Sequence, residues 1–139
     1  MNSAAALIFA LPQWYFGMLL APLGAGALSI IPALGACCGL AGLVLGISHR
    51  DARLFWFTAP AVASQALTAV AGFFHGQFRG EPSDITLCLF VIAQLAAAFY
   101  LVYRLDGRRL AALLLAVFSL TYSLFAAFVA AMAFSDNWI

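Results

Sequence analysis

Long apolar runs alternate with short polar stretches along the chain, and every charged side chain falls in one of four places: Arg50 to Arg53, Arg79 to Asp84, Arg104 to Arg109, and Asp136. Everything between them is uncharged. An Asp, Lys or Arg at the centre of a membrane helix costs about 2.5 to 3.5 kcal/mol, whereas a Leu, Ile, Phe or Val gains about 0.3 to 0.6 kcal/mol, so runs of this kind favour the bilayer. A hydrocarbon core of roughly 30 Å requires about 20 apolar residues. The pattern therefore predicts spans at Leu54 to Phe74, Ile85 to Tyr103 and Leu110 to Phe134. The connection from Arg104 to Arg109 is tight, with Gly107 permitting the turn, which makes the last two spans antiparallel neighbours. His75 to Asp84, with Gly76, Gly80 and Pro82, is the one real loop between spans.

The stretch Ala4 to Ile47 is a single apolar run of the length of two spans, and Pro22-Leu23-Gly24-Ala25-Gly26 is its best breaker cluster. This predicts a helical hairpin, Ala4 to Ala21 and Gly26 to Ile47. The expected fold is thus one all-α, polytopic transmembrane helical bundle of five spans. Four spans with an interfacial or re-entrant N-terminal helix is the alternative. Trp14 and Tyr15 favour it, because such rings prefer the membrane interface and the hairpin places them near mid-depth.

Arginine excess in short loops marks the cytoplasmic side. Residues 49–53 and 104–109 carry five of the six cationic side chains, and two spans separate these loops, so both are expected to be cytoplasmic, with the C-terminus outside. A bacterial inner membrane is the expected location. Trp56, Tyr100 and Tyr103 then fall at the inner interface and Trp138 at the outer one. Met1-Asn2-Ser3 lacks the positive start of a secretory signal, so the N-terminal run is expected to be retained.

Small residues mark close helix contacts in lipid. Gly35, Gly39, Gly42 and Gly46 recur at steps of four, three and four on one face of the second segment. The last span repeats the pattern with Ala112, Ala116, Ser119, Ser123, Ala126, Ala130 and Ala133. Both stripes are expected to be packing faces, within the bundle or between protomers; a permeation path lined by small residues is the other reading.

Composition sharpens the picture: 66% of residues are hydrophobic and 8% charged, against roughly 25% charged in soluble domains, and the mean hydropathy is +1.07. A soluble fold is excluded, and a net charge of +1 points to no nucleic-acid partner. The expected partners are the bilayer, other membrane subunits or further copies of the chain.

Candidate chemistry gathers at one depth. At 1.5 Å per residue, Gln13, Cys37, Cys38, Gln65 and Gln94 all lie about ten to thirteen residues in from the cytoplasmic edges of their segments, and Ser119, Thr121 and Tyr122 reach a similar level. One mid-membrane polar layer drawn from every segment is expected. It either fixes helix register through interhelical hydrogen bonds, with Gln65 and Gln94 as the leading pair, or forms a small binding site or polar path of the kind transporters use.

Cys37, Cys38 and Cys88 fall inside apolar runs rather than loops, unlike a disulfide framework. The vicinal pair Cys37-Cys38 suits soft ions such as copper(I) or zinc. It resembles the paired cysteines in the first helices of mercury-uptake membrane proteins over those two residues, without the second cysteine pair those proteins carry. No family is assigned on that basis. His49 and His75 fall at opposite ends of their spans, so they cannot jointly hold a haem within one protomer, and no cofactor is expected. Catalytic motifs are lacking, and the outer-loop group of His75, Arg79, Glu81 and Asp84 reads as a solvated surface or a partner contact. These features favour a non-enzymatic accessory, assembly or stabilising subunit of a membrane complex, or a homo-oligomer. A small facilitator, channel or soft-metal transporter with a mid-membrane site is the alternative.

Overall fold

The computed structural model describes residues 3–20, 30–49, 52–74 and 81–135. Five α-helices follow one another: α1 Ser3–Leu20, α2 Ile30–His49, α3 Thr58–Phe73, α4 Glu81–Arg104 and α5 Arg109–Ser135. Among the described residues there is no strand. Four of these stretches, in α2, Ala52–Phe73, α4 and α5, are long and apolar enough to cross a membrane. The chain is a membrane-embedded all-α bundle. The breaker cluster Pro22 to Gly26, and with it the predicted hairpin turn, lies outside the described residues.

Two element starts depart from the expected pattern. The third span opens as a 3-10 turn, Ala52–Phe57, before α3 begins. Pro60 accounts for the change of helix type, because it lacks the N–H that would bond the carbonyl of Trp56. At the other junction, α4 begins at Glu81, so Glu81 and Asp84 form its first turn and not part of a loop. The Asp84 carboxylate is favoured there by the helix dipole, and Pro82 fits a first turn where its missing N–H has no intrahelical partner.

The centre of the bundle is α5. At 1.5 Å per residue its 27 residues span about 40 Å, and α1, α2, α3 and α4 all pack on it. Its Ala and Ser positions let neighbouring backbones come close, which is where van der Waals packing in lipid is gained. Ala112, Ala116, Ser119, Ser123, Ala126, Ala130 and Ala133 are all buried.

The glycine face of α2 lies against α5. A Cβ at Gly39 would stand 2.8 Å from the Phe118 ring, and one at Gly42 would stand 2.8 Å from Leu115 Cγ. At Gly35 it would overlap the Thr121 side chain and the Tyr15 hydroxyl. Positions rise along α2 as they fall along α5, so these helices are antiparallel. Gly46, at the end of the face, meets Leu54 of the 3-10 turn instead.

The outlying helix is α4, the least buried of the four long apolar stretches. It turns Gln94 and Ala98, four residues apart, inward and leaves Ile85, Leu89, Ile92, Phe99 and Tyr103 on its outer face. Leu54 and Phe57 share one core cluster with Ala98, Leu105, Ala111 and Ala112. The 3-10 turn and the connection between α4 and α5 therefore sit at the same end of the bundle. In that connection Gly107 has φ 90°, which L side chains rarely adopt, and the Arg108 N–H bonds the Leu105 carbonyl at 3.2 Å. The exposed Asp106–Arg109 pair at 2.7 Å contributes little in contact with water.

Candidate functional site

Halfway along α5, three side-chain hydrogen bonds tie it to its neighbours. The first reaches α1, where Tyr15 is 0% exposed and its Oη stands 2.7 Å from Thr121 Oγ1. Thr121 directs its own hydroxyl to the backbone carbonyls of Val117 and Phe118, both at 2.9 Å. Its single hydrogen is thereby occupied, and Tyr15 is the donor to it.

The other two bonds reach α3. Ser64 and Ser123 face each other with their hydroxyls 3.0 Å apart, and each lies 2.8 Å from a carbonyl of its own helix, Pro60 and Ser119 respectively, so one serine donates to the other, which donates to its carbonyl. One residue away on each helix, Gln65 Nε2 donates to Tyr122 Oη. Among the described residues Gln65 Oε1 is buried without a hydrogen-bond partner.

Rings pack around these bonds. Tyr15 lies edge-on to Tyr122 at 5.0 Å and to Phe125 at 5.7 Å between centroids. Phe118 stacks on Tyr122 at 5.8 Å and on Phe16 at 6.3 Å. Edge-to-face and offset geometries of this kind are the favourable ones for aromatic quadrupoles.

The expected polar layer is only partly assembled. Of its members, Gln65 and Tyr122 meet at the α3–α5 contact, beside Ser123 of the small-residue stripe. Gln94 does not meet Gln65: it is 7% exposed on α4, which packs chiefly on α5. A hairpin centred on Gly107 brings Gln94 and Ser119 to the same level, about thirteen and twelve residues away. Gln94 Oε1 and Ser119 Oγ are both buried and without hydrogen-bond partners among the described residues. The Gln65–Gln94 pairing is thus replaced by Gln65–Tyr122, because α5 stands between α3 and α4.

Gln13 lies outside the layer, exposed on α1. Leu11 and Tyr15, four residues apart, are the fully buried positions, and a residue midway between them on a helix faces the opposite way. Tyr15 is thus buried within the bundle, while Trp14 remains 41% exposed.

Cys37 is exposed and Cys38 half-buried, flanking the glycine face. Among the described residues no group of three His, Cys, Asp or Glu side chains is placed to hold a metal. The bonds missed in the sequence are those of Tyr15 and Ser64. For Ser64 a signal existed: Pro60, Ser64 and Thr68 recur every four residues, and all three are buried.

Beside the polar contacts lies a cavity of about 620 Å³. Its inner end is formed by Phe16, Gln65, Phe118 and Tyr122, and it runs past Gly42 and Gly46 to Ala52 and Phe55 at the arginine-rich end. No family model, curated protein or solved structure matches this chain.

Proposed function

We propose that the protein is a non-enzymatic membrane subunit that acts as an accessory, assembly or stabilising component of a larger membrane complex, or as a homo-oligomer. The observation that carries this reading is the use made of the mid-depth polar groups. Tyr15, Thr121, Ser64, Ser123, Gln65 and Tyr122 are engaged with one another around α5. Interhelical bonds in lipid average about 0.6 kcal/mol each, so these groups fix helix register while the outer faces stay apolar. The outward face of α4 is the surface such a subunit offers to its partners.

In this proposal the arginine-rich end faces the cytoplasm of a bacterial inner membrane. Positive charge is retained on that side, and the turn at Ala52–Phe57 and the Arg104 to Arg109 connection share one end of the bundle. The C-terminus then lies outside and, with five spans, the N-terminus inside.

The test is photocrosslinking in native membranes from a probe placed at Phe99 or Leu89 on the outer face of α4, with mild-detergent purification alongside. Defined adducts to a membrane protein or to a second copy are expected at these positions. Adducts to lipid alone, with a lone monomer on purification, contradict the proposal.

A second reading, a small facilitator, is favoured by the cavity beside Gln65. Solute flux in proteoliposomes, compared with Gln65→Leu and with Cys37→Ala plus Cys38→Ala, separates it from the first: flux lost on Gln65→Leu supports a facilitator, and the cysteine pair tests soft-metal handling.

A further inference from the structure

We infer that the cavity between α1, α2, the 3-10 turn, α3 and α5 is a binding site for an uncharged, hydroxyl-bearing amphiphile that enters sideways from the bilayer and sets its hydroxyl at Gln65 and Tyr122. The inference holds whether or not the chain works inside a complex.

The size is right for one small molecule: about 620 Å³ falls within the roughly 300 to 1,000 Å³ of small-molecule sites. The opening faces the lipid, because Leu43 and Ile47 on one rim and Phe55 and Val62 on the other are exposed. The route in is therefore lateral. On the α2 side the wall includes Gly42 and Gly46 beside Leu43 and Ile47.

The walls decide the charge of the ligand. Among the described residues, no Asp, Glu, Lys, Arg or His lines the cavity. A phosphate or ammonium group would be buried there without a counter-ion, which membrane interiors penalise heavily. The stacked rings of Phe16, Phe118 and Tyr122 at the inner end offer flat apolar surface to a ring.

The inner end decides the functional group. Gln65 spends its amide nitrogen on Tyr122 Oη, which leaves Gln65 Oε1 as an acceptor without a partner and the Tyr122 hydroxyl hydrogen as a donor. A ligand hydroxyl accepts from Tyr122, and donates to Oε1 once the carboxamide turns its buried oxygen toward the cavity and gives up the Nε2 bond to Tyr122. An ether takes only the first bond, and a hydrocarbon takes neither. Loss of one such bond lowers affinity about five- to tenfold.

The test uses the full chain in nanodiscs with radiolabelled para-dodecylphenol as probe, displaced by unlabelled para-dodecylphenol, para-dodecylanisole, dodecylbenzene or dodecyl phosphate. Saturable binding of one phenol per protein is expected, with the anisole weaker by about five- to tenfold, dodecylbenzene weaker again, and dodecyl phosphate without effect. Gln65→Leu should remove the preference for phenol over anisole. Tyr122→Phe, which keeps the ring, reads the same contact if Gln65→Leu does not fold. Val62→Trp, at the exposed rim, should block all binding while leaving the helical content and elution volume unchanged. Absence of saturable binding, equal affinity for phenol and anisole in the unaltered protein, or a phenol preference that survives both Gln65→Leu and Tyr122→Phe overturns the inference.

Discussion

Tyr15 and Thr121 stand 106 positions apart in the chain and share a hydrogen bond of 2.7 Å, and Gly35 makes room for both. The hydroxyl joins the first helix to the last at the depth where lipid offers no alternative partner. Removing it alone, as in Tyr15→Phe, is expected to cost about 0.6 kcal/mol and at most about 1.7 kcal/mol. Tyr15→Ala also opens a void beside Phe118, Tyr122 and Phe125, and is expected to cost roughly 3 to 5 kcal/mol. Unfolding equilibria in micelles measure both, with exposed Gln13→Leu as the unaffected control.

The glycine face of α2 sets a graded series. Gly35→Ala drives a methyl into Thr121 and Tyr15, and Gly42→Ala drives one into Leu115. Each is expected to destabilise by roughly 1 to 3 kcal/mol through overpacking. A Cβ at Gly17 meets nothing within 4 Å, so Gly17→Ala should be neutral or slightly stabilising. Thermal midpoints in detergent that fall equally for all three would contradict the close α2–α5 contact.

Ser64 and Ser123 form the buried link between α3 and α5. Ser64→Ala and Ser123→Ala should couple in a double-mutant cycle by about 0.6 kcal/mol, with a ceiling near 1.7 kcal/mol. Each serine retains a carbonyl partner on its own helix, which holds the coupling small. A coupling indistinguishable from zero would remove this link.

The two mid-depth glutamines should respond in opposite ways. Gln65→Leu breaks the bond to Tyr122 and is expected to destabilise. In Gln94→Leu a buried acceptor that has no partner is replaced by an apolar group, which is neutral or stabilising by the desolvation it spares, about 1 kcal/mol or more. The same micelle equilibria check this pair, and equal losses at both positions would be incompatible with the arrangement around α5.

Much of the fold is legible in the sequence because charge exclusion in a bilayer is nearly a binary rule. The spacing of Arg53, Arg104 and Asp84 delimits α3, α4 and α5 to within a few residues. The glycine steps on α2 mark a contact face for a similar reason, since only small residues admit another backbone. Depth too is readable, as 1.5 Å per residue converts position into level, and Gln65, Gln94 and Tyr122 do share one.

Azimuth was not legible. Depth says nothing of which way a side chain faces, and α5 intervenes between the helices carrying Gln65 and Gln94. In a helix apolar on every side, such as α1, no polar stripe marks the outer face, so Gln13 and Tyr15 exchange the roles that polarity alone assigns them. The cavity was hidden as well, because it arises from side chains of four helices and the 3-10 turn that share no sequence pattern.

The account rests on α5 lying at the centre with α3 and α4 on separate sides of it, and disulfide trapping in native membranes tests this most directly. With Cys37, Cys38 and Cys88 replaced by alanine, the pair Ser64→Cys with Ser123→Cys should cross-link efficiently, since facing hydroxyls at 3.0 Å place the two Cβ atoms near disulfide range. The pair Gln65→Cys with Gln94→Cys should remain reduced. Efficient cross-linking of the second pair and none of the first would contradict the arrangement.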